Sequence, residues 1–520
     1  AGGASVLTAS GDTLTLVDRV QHHFTTSLST LEVASQNAAK LLTEYQTFFR
    51  NATTNGVGPY KAYVVKYSAQ DKQRIDALLQ LLDKNKIQYG YAKGGTLRGV
   101  NYDNGKEESF TATDNDIVVS TVQPKATLVS VLFEANTKIS DSATYDITAW
   151  SLPYVYGLKT FAVRNAVATS EPPKMMGGIT NPTSDPYGYV MRWNGVQSAK
   201  LALKLEQKGV KLRMVEEPFE ISGQRFERGS IIILKTGNQY YNNLWDTVRQ
   251  TALRSGLPLT PISSGFVDKG FDFGSSSVRP LSKRKVALVS GEGISSNGVG
   301  EVWHLFDQVL DYPITLVNAA DLGRINWSDF DVLIMPDGAY RFLSDKTSAD
   351  AFKSWINGGG NVVALEGAVS QLSKLDWAIK VKKVDDSDSK NKYEALHRYE
   401  DREREVIPGT TPGSIYKVEL DNTHPLAFGY PNYYYTLKQD DAIYDYIKEG
   451  GWNVGVLKKE KQVAGFVGSK LVNRLQDGLL FGTQEVGRGN VTYLADDVLF
   501  RSFWENGKLM FCNAVFLVGQ

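Results

Sequence analysis

Cysteine occurs once in 520 residues, at Cys512. That excludes an intrachain disulfide and any thiolate-rich metal site. Set among Met510, Phe511 and Val515, this thiol reads as a small core hydrophobe. Histidine is scarce too, with five in all. No H-E-x-x-H occurs. His397 and Glu400 have the H-x-x-E spacing of a zinc peptidase, but the only later histidine, His424, follows too closely. The pair also lies in a charged stretch and reads as solvated loop. The adjacent His22 and His23 would point to different faces of a helix, and His304 beside Trp303 reads as a boundary residue. Neither charge sign is in excess: Lys plus Arg and Asp plus Glu are each 57. Bulk electrostatics therefore gives no argument for nucleic acid or an anionic membrane. No apolar run reaches the ~18 residues of a membrane span. The opening AGGASVLTASGDTLTL has neither Met nor a signal peptide, which predicts a fragment or a processed form.

An apolar fraction of 42% suits a water-soluble globular chain, and this length calls for about three to four domains. Residues 1–55 read as two short strands about Gly11-Asp12 followed by a helix over 20–49. Leu28, Leu31, Ala34, Ala38, Leu41 and Leu42 keep helical spacing there. Two strands and a helix cannot enclose a core, so the segment must dock on something else. A strand–helix–strand rhythm marks 56–165 as a small α/β domain, and the Pro- and Gly-rich stretch 169–188 as a linker. A second α/β unit covers 166–281, with a helix over 244–255 stopped by Gly256.

From Lys285 onward, near-continuous apolar strands alternate with helices, the pattern of a doubly wound, flavodoxin-like parallel sheet over 284–520. The fold class is thus multi-domain α/β. The charged stretch 383–406 reads as a surface excursion. Gly291-x-Gly293 lacks the third glycine of a dinucleotide fingerprint, because Ser296 stands in its place. Asp321 lies past the second strand, so no ribose-binding acid is well placed. The loop reads instead as a strand-to-helix turn capped by Ser296 or Asn297. In NGGGNVVALEGAVSQL the passage out of the strand is where α/β enzymes expose a nucleophile, but Glu366 stands there, followed by Gly367. That points to a folding relic or a ligand pocket rather than a hydrolase. The pocket's candidate lining is Glu366, Gly367, Asp337, Gly338 and Glu292. The acidic pairs Asp496-Asp497 and Glu216-Glu217 read as solvated surface. Tyr433, Tyr434 and Tyr435 are either a stacking face for a sugar or peptide, or ordinary packing.

Two resemblances bear on these readings. The strand-loop-helix at 285–310, DVLIMPDGAY, WINGGGNVVAL and GRGNVTYLADDVLFRSFW resemble the class I glutamine amidotransferase-like fold. The elbow position that carries Cys in those enzymes is Glu366 here, which implies that amidotransferase activity is absent. The phrases SVLTASGDTLTLVDRVQHHFTTSLSTLEVAS, VLFEANTKISDSATYDITAWSLPYVYGLK and MRWNGVQSAKLALKLEQKGVKLRMVEEPF resemble the region behind the catalytic domain of large secreted bacterial zinc carboxypeptidases of the carboxypeptidase A-like family. This likeness implies a secreted or periplasmic, non-catalytic C-terminal region, with 1–55 as the last strand and helix of a carboxypeptidase domain. Zinc would sit in that domain, with no cofactor in this chain. Its partners would be the upstream domain and a peptide or glycan. The rival expectations are a stand-alone carbohydrate-binding module and a carboxylate-based hydrolase.

Overall fold

A computed structural model describes residues 4–137, 147–171, 185–383, 396 and 398–520. Most of the expected linker, most of the charged excursion and His397 lie outside the described residues.

The chain opens with the hairpin Ser5–Leu7 and Thr13–Thr15, followed by helices Leu16–Gln36 and Ala38–Thr54. Thr15 and Asp18 form a reciprocal capping box that starts the first helix. The expected single helix is interrupted at Asn37, whose backbone leaves helical geometry and whose amide donates to the Val33 carbonyl (2.8 Å). Ala52 is the one buried residue of the two helices. Val20, Phe24, Leu28, Leu31, Leu42 and Phe48 are exposed.

Next comes a seven-stranded sheet in the order 107–112, 95–101, 160–163, 62–65, 117–120, 90–92, 169–170. All its pairings are antiparallel, so the strand–helix–strand rhythm does not produce a parallel sheet here. Strand alternation divides the burial. Tyr63 and Val65 face the helix Lys72–Lys84 through Ile75 and Leu78, while Ala62 and Val64 join a smaller cluster with Val118 and Val163. ATLVSVLFE forms the helix Ala126–Phe133.

A five-stranded antiparallel sheet follows, ordered 260–262, 188–191, 231–234, 213–215, 278–280. Helices Val196–Gln207 and Leu244–Ser255 belong to this unit. The second ends at Gly256, which takes φ +66°, the left-handed conformation that closes a helix without a Cβ clash. The hairpin Phe219–Ile221 and Gln224–Phe226 adds Phe219 and Phe226 to a second core with Val190 and Ile232.

The last sheet has ten strands. Its parallel half runs 315–318, 286–290, 332–335, 361–365, 489–494, the 2-1-3-4-5 order of a doubly wound fold. Four of these strands are buried throughout or nearly so, as a sheet covered on both faces requires. An antiparallel extension continues from 489–494 through 478–486, 451–457 and 413–420 to 433–438.

The helix Glu505–Phe516 is buried on nearly every side. Asn506 accepts from the Arg74 guanidinium (2.6 Å), and Asn513 accepts from the Trp193 indole (2.7 Å). The Asn513 amide donates to the carbonyls of Leu426 (3.0 Å) and Phe428 (2.8 Å). One helix thus links all three sheets.

Candidate functional site at the strand-to-helix elbow

Parallel strands 286–290, 332–335, 361–365 and 489–494 end at one edge of the sheet, where doubly wound folds place their ligands. The loops that follow are cross-tied there. Ser295 N–H donates to the Asp337 carbonyl (2.8 Å), and Ala339 N–H to the Gly293 carbonyl (2.8 Å). The helix after the first loop is capped by Ser295, which accepts from Gly298 N–H (3.2 Å). Neither Ser296 nor Asn297 is the cap, because the helix starts one residue earlier than the glycine spacing implied.

Glu366 sits at the elbow with φ 47° and ψ −118°, a strained conformation for a residue with a Cβ. Its N–H donates to the Leu494 carbonyl (2.9 Å), pinning the turn to the neighbouring strand. Gly367 opens the helix Gly367–Leu372, and a Cβ there would run into the Asp337 carboxylate. Asp337 and Gly338 therefore border the elbow, and Gln371 Nε2 donates to the Gly338 carbonyl. Glu292 is exposed on the first loop, with no hydrogen bond or ion pair to the elbow.

Three carboxyl groups meet at this edge. Burial, followed by the charges of Asp497, Asp337, Asp440 and Asp496, pushes Glu366 up to about 8. Asp497 is raised well above the usual carboxylate range, by burial first and then by Glu301. Glu301 is also raised, by burial first, although it accepts from Arg501 N–H (2.6 Å). Glu301 and Asp497 are thus buried side by side, where each carboxyl's charged form is disfavoured. Arg501 and Ser502 both have positive φ (50° and 53°) on the segment that Glu301 grips.

Behind these groups, the wholly buried Lys438 ammonium contacts Asp496 Oδ1, Asp440 Oδ1 and the Ala442 carbonyl, each at 2.7 Å. Burial alone would lower Lys438, but the two carboxylates outweigh it and hold it up. Thr436 Oγ1 donates to the other oxygen of Asp496 (2.6 Å). The Asp496-Asp497 pair is thus not the solvated surface expected from sequence: Lys438 pairs with Asp496, and Asp497 is buried beside Glu301. Glu216 and Glu217 remain at the surface, paired with Arg279 (2.9 Å) and Arg228 (2.6 Å).

Tyr434 and Tyr435 are buried, and Tyr433 is half-buried beneath the Lys417 ammonium (4.1 Å from the ring centroid). Tyr435 donates to the Asp103 carboxylate across to the first sheet. Tyr433 and Tyr435 pack the junction with the first sheet, while Tyr434 turns to the other face of its strand against Tyr430 and Phe481, so the three form no open face. Cys512 is buried in the C-terminal helix, where burial pushes its thiol up to about 12. Among the described residues, no group of three or more His, Cys, Asp or Glu stands ready to hold a metal ion. No described helix is long and apolar enough to cross a membrane.

Chemically, the elbow gathers buried carboxyls whose charged forms are disfavoured, the kind of group that general acid–base chemistry uses. It has no thiol for acyl transfer. Sequence reasoning reached Glu366, Gly367, Asp337 and Gly338 through the elbow pattern. It missed Glu301 and Lys438, which come from a distant helix and strand.

No family model matches the sequence, and no curated protein matches it. Among solved structures, the chain is similar to a ThuA-like protein from Bacteroides uniformis at 12% identity and TM-score 0.28, covering 44% of this chain and 89% of that one. It is similar to a glutamine amidotransferase from Thermotoga maritima at 8% identity and TM-score 0.28, covering 44% and 95%. It is also similar to an exo-β-1,4-mannosidase from an Opitutaceae bacterium at 12% identity and TM-score 0.25, covering 55% and 40%.

Proposed function

We propose that this chain is an accessory, docking portion of a zinc-carboxypeptidase-like protein that helps position a peptide or glycan and does not itself carry the zinc. One observation carries this reading: helices Leu16–Gln36 and Ala38–Thr54 expose a run of large apolar side chains and bury Ala52 alone. Such a surface costs roughly 25 cal/mol for each Å² left in water, so it favours a partner. The place of Glu366 at the elbow fits a non-catalytic role, because no thiol is available there.

The test pairs the chain with a separately produced zinc carboxypeptidase domain of the same family and measures binding by titration calorimetry. The expected result is an interaction that Leu28→Asp with Leu31→Asp weakens at least tenfold, with the fold unchanged. Absence of binding, or binding indifferent to the double substitution, refutes the docking role. Peptide hydrolysis by the isolated chain with added zinc would also refute it. A second reading, carboxylate-based hydrolysis, is favoured by the raised Glu366 and Asp497 carboxyls. It requires turnover that Glu366→Gln abolishes.

A further inference from the structure

The antiparallel extension carries a second feature that the docking reading does not use. Trp452 lies on the strand Gly451–Leu457 with 55% of its surface exposed. It pairs across the sheet with Thr483. Beneath it, His424 is fixed at both ring nitrogens. Nδ1 accepts from Leu426 N–H (3.1 Å), so the proton is on Nε2, which faces Thr483 Oγ1 (3.1 Å). Burial keeps this imidazole neutral, pulling it down to about 4. Its ring centroid lies 6.3 Å from that of Trp452 and helps hold the indole in place.

Beside the indole is a cavity of about 300 Å³, bordered by Glu216, Arg279, Glu485, Arg488 and Asn490. Arg279 pairs with Glu216, and Arg488 donates to the Gly358 carbonyl (3.0 Å). The Asn490 amide donates to Asn361 (3.4 Å), leaving its own carbonyl oxygen open. Among the described residues, the Glu485 carboxylate and the Trp452 indole N–H have no partner.

The charges select the ligand class. Two carboxylates and two guanidinium groups border the cavity, so neither an anion nor a cation gains from the net field. The lining is mostly polar, which disfavours a purely apolar guest. A neutral ligand dense in hydroxyls, with one flat C–H face for the indole, satisfies both ends of the site. The volume sits at the small end of ligand pockets, about 300–1,000 Å³, which suits one sugar ring.

We propose that Trp452, Glu485 and Asn490 form a binding site for one ring of a neutral saccharide, independent of both the elbow and the docking helices. The ring stacks on the indole, its hydroxyls donate to Glu485 and to the Asn490 carbonyl, and Arg488 donates to a ring substituent.

The test uses the whole chain with glucose, galactose, mannose, N-acetylglucosamine and their β-linked trimers, each up to about 10 mM, read by saturation-transfer NMR and calorimetry. At least one probe binds. Trp452→Ala lowers its affinity at least tenfold, Trp452→Phe retains most of it, and Glu485→Gln lowers it several-fold. Trp303→Ala, at another half-exposed indole, leaves it unchanged. Thermal midpoints of all five variants, Tyr433→Ala included, are compared first. If Trp452→Ala disturbs the fold, Glu485→Gln decides the matter alone. No binding by any probe overturns the proposal. So does binding that survives both Trp452→Ala and Glu485→Gln, or that is lost only with Tyr433→Ala.

Discussion

Replacing Glu366 by Gln should make the protein more stable at alkaline pH and leave it nearly unchanged at acid pH. The folded carboxyl titrates near 8, against an ordinary value of 4.5, because burial and the surrounding carboxylates disfavour its charge. Below about pH 4.5 both folded and unfolded chains hold the proton, and Glu366 contributes no pH-dependent penalty. Between 4.5 and about 8 the unfolded chain releases it while the folded chain keeps it, so stability falls as pH rises. At about 1.4 kcal/mol for each pH unit, the full effect is about 5 kcal/mol. Glu301 and Asp497 titrate together with Glu366, so part of that loss belongs to the cluster, and about 2–3 kcal/mol falls to the single substitution. Gln keeps the side-chain shape and the elbow strain, so the comparison isolates the charge. The assay is urea unfolding of both proteins at pH 5 and pH 8.5. The variant should gain about 2–3 kcal/mol at the higher pH relative to the lower. Parallel pH profiles would refute the placement of Glu366 among buried carboxyls.

Three further outcomes follow from the same structure. Glu366→Cys places a thiol where burial and neighbouring carboxylates disfavour the thiolate, so alkylation by iodoacetamide at pH 8 should be at least tenfold slower than for a small thiol; fast labelling contradicts this. Because burial holds His424 near 4, stability should also fall as pH drops from 6.5 towards 4, by about 3 kcal/mol, and His424→Gln should flatten that limb of the urea midpoint curve. Arg74→Ala removes a buried guanidinium that binds Asn506 and the carbonyls of Tyr156 and Gly157, and leaves Asp71 without its cation; the expected loss is about 3 kcal/mol by denaturant titration.

What sequence could show depended on how local the signal was. Gly256 and the apolar runs at 286–290, 332–335 and 361–365 act through their own neighbours, and their strands and helix end fall where spacing placed them. The hairpin Gly95–Asn101 and Glu107–Ala112 went unread, though Asn104-Gly105 at its turn is a strong local cue. Asp496 and Asp497 looked solvated because the groups they are buried against, Lys438 and Glu301, stand 58 and 196 positions earlier in the sequence. No single-sequence pattern reports such a meeting. The tyrosines 433–435 gave composition without direction: Tyr435 is buried against Tyr154 of the first unit, and Tyr434 on the other face against Tyr430 and Phe481.

The buried helix Glu505–Phe516 has a kinetic consequence. Arg74 and Trp193 lie 432 and 320 positions ahead of the residues that satisfy them. The sides of the earlier units that face this helix stay wet, with a guanidinium and an indole unpaired, until the late segment has been made. Any species formed before that segment docks therefore exposes the apolar and polar surface that the helix later covers. Such a species is vulnerable to aggregation, and a chaperone that shields apolar grooves should raise the yield of native protein more than it speeds any one unit.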